Sequence, residues 1–151
     1  MYFLEPVRKT FTDPRIPLFI VEGEKKCAKA FQHGLNSVGV GGCWNWCNGD
    51  GDTGELIGDF NHIALVERAV ELIFDSNIWV REDLGRAVYA LGRSLENKGA
   101  RVTVVVIPGA PDGESVGFDD FVVSNGFEAF ISRFLVTTAC SVPCWLVRLW
   151  L

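Results

Sequence analysis

The sequence lacks the features that would let it act on a membrane, or hold nucleic acid by bulk charge. No run reaches the ~18 to 20 uninterrupted apolar residues of a spanning helix. The opening MYFLEPVRKTFTDPR carries no apolar stretch of a secretory leader, so the expected compartment is the cytoplasm. Basic residues are in deficit, with 14 Lys and Arg against 19 Asp and Glu and a net charge of −5. That balance excludes a broad basic surface that displaces counterions from DNA. A nucleic-acid partner would need a divalent cation, a neighbouring domain or a partner subunit to bridge the charge. Cysteines are few and odd in number, at 27, 43, 47, 140 and 144, which argues against a disulfide framework. Cys43-x3-Cys47 with Cys140-x3-Cys144 spells a four-thiolate zinc set, but x3 is a less usual spacing than x2 and free thiols are the simpler reading.

What is present fits one globular domain: 151 residues, 48% hydrophobic and 22% charged, enough to bury a sizeable core. Residues 1–15 mix prolines and charges without period and read as a lead-in. Ile16 to Gly23 (IPLFIVEG) is a short apolar run ending in glycine, as a buried strand meeting a turn does. Glu24 to Gly34 places Cys27, Ala28, Ala30 and Phe31 on one face, with Gly34 a natural stop, and predicts an amphipathic helix. A second strand is expected within Leu35 to Gly42, then a Trp-, Asn- and Gly-rich loop from Cys43 to Gly54 and a weak helix around Ile57 to Leu65. Arg68 to Asn77 reads as a third strand ending in acid, Val80 to Lys98 as a second helix, and Arg101 to Pro108 as a β-branched fourth strand. Gly117 to Leu135 predicts one or two short helices. The domain is thus expected over 16–135, as an α/β fold with a mostly parallel four-stranded sheet flanked by helices. Residues 136–151, VTTACSVPCWLVRLWL, form an apolar tail without helical or strand period, unlike the rest.

The chemistry gathers at strand ends. Glu22 in FIVEGEKK and Asp75 in LIFDSN each follow an apolar strand, which assigns both to the carboxyl edge of a parallel sheet, where ligands of α/β proteins sit. Carboxylates aimed at one place repel each other unless a hard cation shares them, and Mg²⁺ accepts one or two such ligands and fills its octahedron with water and phosphate oxygens. The bland alternative is that each acid caps a helix. Asp119 and Asp120, in a Gly-Phe-Asp-Asp turn, offer a third acid or an ordinary N-cap. Lys25 and Lys26 can touch a phosphate or line a solvated helix face; Trp44 and Trp46 can stack on unpaired bases or fill a local core. Two weaker patterns fall short. Gly39 to Gly42 lacks a dinucleotide-binding spacing, and Asn48, Asp50 and Asp52 imitate only half of a calcium loop.

PLFIVEGEKKCAKA, ELIFDSN, VTVVVIP and GFDDFV together resemble the Toprim domain of bacterial primases, topoisomerases and related nucleases. The likeness covers roughly Ile16 to Gly126, and is closest to a Toprim-like family of unassigned function found beside helicase and primase modules of plasmids and phages. The resemblance implies a Toprim/Rossmann-like sheet, an acid/base role for Glu22, and Mg²⁺ or Mn²⁺ on Asp75 and Asn77 with help from Asp119 and Asp120. Asn77 stands where the family carries a second aspartate, which lowers the expected metal affinity. The implied function is a metal-dependent module of a replication protein, performing primase-like nucleotidyl transfer or phosphodiester cleavage on DNA or RNA beside a helicase or primase domain. The alternative is a catalytically degenerate module that docks such a partner. With tyrosine only at Tyr2 and Tyr89, topoisomerase-type strand passage by this chain alone is not expected.

Overall fold

A computed structural model describes residues 1–49 and 55–132, together with the backbone of Ser141–Pro143. Its elements in chain order are β1 (Tyr2–Phe3), α1 (Glu5–Arg8), β2 (Leu18–Glu22), α2 (Glu24–Gln32), β3 (Ser37–Val40), a 3₁₀ turn (Gly58–His62), β4 (Ala69–Ile73), a second 3₁₀ turn (Ser76–Trp79), α3 (Glu82–Asn97), β5 (Arg101–Val105), α4 (Phe118–Asn125), α5 (Phe127–Phe130) and β6 (Ser141–Pro143). They form an α/β fold around a mixed six-stranded sheet of order β1-β3-β2-β4-β5-β6. β3, β2, β4 and β5 run parallel, in registers such as Ile20 opposite Val38 and Leu72, and Leu72 opposite Val104.

The four expected strands are the central four; two short antiparallel edge strands correct the count. β1 lies along β3 and β6 along β5. Two or three residues carry no detectable period, which is why neither edge was legible. The lead-in reaches into the domain, with Val7 and Phe11 buried in its core. Its anchor is Arg68, fully buried, whose guanidinium donates to the carbonyls of Ile16 (2.9 Å), Phe11 (3.0 Å), Thr10 (3.2 Å) and Ala64 (3.4 Å). Burial pushes the Arg68 pKa down, but its donors are spent on backbone oxygens that would otherwise lack partners or share one.

Side chains of the strands alternate between the two faces of the sheet. Leu18, Ile20, Leu72 and Val104 pack with Ala87, Val88, Leu91 and Leu95 of α3 and with Trp46 and Phe60 of the 43–65 loop. Val21, Ile73 and Val105 pack on the opposite face with Cys27 and Ala30 of α2 and Phe118, Phe121 and Phe130 of α4 and α5. α2 stops as expected: Gly34 takes φ +84, and the N–H groups of Gly34 and Leu35 cap the Phe31 and Ala30 carbonyls at 2.9 and 3.1 Å. Gly39 of β3 is fixed by proximity, since a Cβ there would lie 2.9 Å from the Gly23 carbonyl oxygen and 3.1 Å from Cys27 Cβ. This close approach sets the start of α2 directly on the sheet edge. Among the described residues no helix is long and apolar enough to cross a membrane.

Candidate functional site

The chain winds outward in both directions from the pair β2 and β4: β2 leads through α2 to β3 on one side, and β4 through α3 to β5 on the other. The carboxyl ends of β2 and β4 therefore flank the point where the winding direction reverses, and such a point opens a crevice in α/β sheets. Glu22 is the last residue of β2, and Asp75 follows β4 by two residues. Neither acts as a side-chain helix cap, because the N-cap of α2 is Gly23, and Asp75, at the N-cap of the second 3₁₀ turn, makes no capping bond.

Lys26, in the first turn of α2, reaches across this crevice. Its Nζ donates to both oxygens of Asp75, at 2.6 and 2.7 Å, with only 18% and 20% of the two side chains exposed. The third wall is the loop entering α4. Gly117 is buried, and a Cβ built there would lie 2.7 Å from Lys26 Cε, 2.8 Å from Asp119 Oδ1 and 3.0 Å from Asp75 Oδ1. Gly117 has an ordinary extended backbone (φ −91, ψ 175), so its glycine is demanded by these three neighbours and not by conformation. Ser76 ties the loop down, its N–H donating to the Val116 carbonyl and its Oγ accepting from the Val116 N–H, both at 2.9 Å.

Cys43 closes the site from the β3 side. Its thiol is pushed up to about 12, first by burial, then by the Glu22 charge and a hydrogen bond to that carboxylate, and next by Asp75, with Lys26 opposing. The thiol is thus neutral at physiological pH and feels Glu22, Asp75 and Lys26 together. With its pKa this high, it is no nucleophile.

The structure gathers Asp75, Asp119 and Lys26 around Gly117 and sets Glu22 at the adjacent end of β2. Asp119 Oδ1 is buried and has no hydrogen-bond partner among the described residues. Asp120 instead turns back, its Oδ2 accepting from the Gly117 N–H at 3.1 Å, as a helix-capping acid does. Asn77 lines a neighbouring cavity of about 620 Å³, with Ile107, Gly109 and Glu114 among its other walls. Its Oδ1 is buried and lacks a described partner. Lys25 points to solvent, while Lys26 does not sit on the solvated face first expected for it. Trp46 is fully buried in the core and offers no ring face to a base, which removes it from the stacking candidates; Trp44, 38% exposed, keeps one. The zinc pattern through Cys140 and Cys144, the half calcium loop through Asp50 and Asp52, and most of the apolar tail lie outside the described residues.

Sequence reasoning missed Gly117, Cys43 and the partner of Lys26. None of the three follows from a local pattern, because each depends on contacts between segments far apart in the chain. Among the described residues no three His, Cys, Asp or Glu side chains form a ready metal-binding group. The donors nonetheless suit a hard cation. They are carboxylate oxygens, one of them orphaned in a buried position, and they already hold a cation in the form of the Lys26 ammonium.

Over 131 residues the chain is 28% identical to an uncharacterized protein of Picosynechococcus sp., an alignment that spans 80% of this chain and 13% of that protein. The chain thus corresponds to a small part of that relative's length. No solved structure matches it significantly. A family model described as a domain of unknown function, DUF3854, matches residues 8–129. With that match over most of its length, the chain belongs to the DUF3854 family.

Proposed function

We propose that this chain is a Toprim-type, Mg²⁺-dependent nucleic-acid-processing module of a plasmid- or phage-type replication protein, working in the cytoplasm beside a helicase or primase domain. What supports the reading is the gathering of Asp75, Asp119 and Lys26 around Gly117 at the crevice between β2 and β4, with Glu22 at the end of β2. Asp75 and Asp119 would hold the cation, Mg²⁺ or Mn²⁺, and Glu22 at the end of β2 would move a proton at the attacking or leaving oxygen. Bound there, the cation supplies neutralisation of charge growing on phosphate oxygens. Lys26 and the exposed Lys25 orient the phosphate backbone, and Trp44 offers a surface for an unpaired base. Asn77 lines the neighbouring cavity and is given no ligand role in this reading.

The test is primer synthesis and cleavage on DNA and RNA with Mg²⁺, Mn²⁺ or a chelator, using the chain both alone and joined to its natural helicase or primase neighbour. Glu22→Gln keeps shape and removes the proton-transfer group, and is expected to lower turnover ~10² to 10⁴-fold. Turnover that survives Glu22→Gln, or that ignores the chelator, refutes the reading. A second reading, a catalytically inert module that docks the same partner, is favoured by one observation: Lys26 already neutralises Asp75, and no ready metal group surrounds it among the described residues. Partner binding without any metal-dependent turnover would select it.

A further inference from the structure

We infer that Lys26 is an exchangeable counter-cation: it holds Asp75 in the free protein and passes to a phosphate oxygen of the nucleic acid when a divalent cation settles on the acids. The inference rests on the metal reading above and adds to it an order of events and a competitor.

The charge balance is the first support. Asp75 and Asp119, which flank Gly117 together with Lys26, carry two formal negative charges against the lysine's one positive charge. A divalent ion balances both acids; an ammonium balances one. The second support is the mode of attachment. Lys26 grips both oxygens of Asp75, at 2.6 and 2.7 Å, so a cation approaching that edge of the carboxylate meets the ammonium first. The third is freedom to move. The ammonium ends a four-carbon stem on the first turn of the nine-residue α2, and its side chain is 18% exposed, so the head group can swing outward without disturbing the helix. Gly117 keeps the space beside Lys26 Cε free of a methyl group. The fourth is the orphaned Asp119 Oδ1, a buried acceptor beside the same Gly117 that Lys26 leaves unserved. Once released, the ammonium lies near the amino end of α2, where backbone N–H groups also favour a phosphate.

A permanent structural bridge predicts the opposite behaviour, because losing it would scatter the acids and weaken metal binding. The experiment is calorimetric titration of Mn²⁺ alone into the wild-type chain, Lys26→Met and Lys26→Arg, each first shown to be folded by thermal melting. Lys26→Met is expected to bind Mn²⁺ on the order of 10-fold tighter, the ratio for one removed competing ion pair, and Lys26→Arg to stay near wild type. Under saturating Mn²⁺, a fluorescent single-stranded oligonucleotide should bind Lys26→Met several-fold more weakly, with the salt dependence reduced by about one ionic contact. If the wild type binds Mn²⁺ and Lys26→Met binds it no tighter, the competition is refuted while the metal reading stands. If neither protein binds Mn²⁺, both fall. Tighter Mn²⁺ with unchanged oligonucleotide affinity refutes the transfer to phosphate. Should Lys26→Met fail to fold, Lys26→Gln takes its place under the same criteria.

Discussion

A methyl group at Gly117 probes the geometry of the site with the smallest possible change. Its backbone, at φ −91 and ψ 175, suits alanine as well as glycine. By conformation alone Gly117→Ala should therefore stabilise the fold by about 0.4–1 kcal/mol, through the less flexible unfolded chain. The contacts argue otherwise. Against ordinary approaches of 3.4 Å or more, the new Cβ would lie 2.7 Å from Lys26 Cε, 2.8 Å from Asp119 Oδ1 and 3.0 Å from Asp75 Oδ1. All three atoms end side chains that can swing, so the fold should survive while the Lys26–Asp75 pair opens. Losing a pair that is mostly but not fully buried costs about 1 kcal/mol and offsets the conformational gain. Thermal melting should thus move by no more than about 2–4 °C per kcal/mol of the remaining difference. Mn²⁺ affinity then answers to two opposed effects, release of Asp75 from Lys26 and displacement of Asp75 and Asp119 by the methyl group, and the second, which moves both acids, should win and lower it. Gly39→Ala is the control: its clash is with the Gly23 backbone oxygen at 2.9 Å, which cannot swing, so melting should drop by an amount matching about 1–3 kcal/mol. A Gly117→Ala protein that melts several degrees higher, with Lys26 still hydrogen-bonded to Asp75 and Mn²⁺ binding unchanged, would refute the proposed packing.

Arg68→Met leaves the Ile16 and Ala64 carbonyls without their guanidinium donor, and should cost about 2–4 kcal/mol after relief of the buried charge. Limited proteolysis should then cut within residues 1–15 well before the domain melts. Glu71 of β4 has its pKa raised by burial, against which the hydrogen bond from Thr103 acts. The folded carboxyl therefore keeps its proton to higher pH than the unfolded one, and stability declines as pH rises from the ordinary 4.5 to the folded value. Glu71→Gln removes that decline, so urea melts should show the variant gaining on wild type from pH 4 to 7 and losing the advantage in acid. Cys43, pushed up to about 12, should resist iodoacetamide at pH 8 in the native protein, and Glu22→Gln, which removes one of the causes, should lower the pH at which alkylation begins. An unchanged alkylation profile would separate Glu22 from Cys43.

Local signals carried the sequence reading where period and punctuation agree. The short apolar run ending at Glu22, the amphipathic face of Glu24–Gln32 closed by Gly34, and the β-branched Arg101–Val105 all lie where the residues alone put them. Strand-end acids follow from the same logic, because a charge at the end of a buried parallel strand reaches solvent more readily than one within it. Glu22 and Asp75 are such residues, and their nearness follows once β2 and β4 are known to be neighbours.

Pairing across the sheet was out of reach of any local pattern. β1 and β6 are two and three residues long, too short for a period, and exist because an exposed neighbouring strand supplies their hydrogen bonds. Trp44 and Trp46 look alike in the sequence; only packing in the core beneath the sheet takes in Trp46 and leaves Trp44 at the surface. Asp119 and Asp120 are likewise adjacent and chemically identical, and the turn of α4 alone divides them into an orphaned acid and a cap. Residue type and spacing determined which elements form and which residues were eligible for chemistry. Tertiary structure decided that Lys26, 49 residues away, would be the one to sit on Asp75, because that contact depends on α2 being drawn onto the sheet edge through Gly39 and on Gly117 leaving the room.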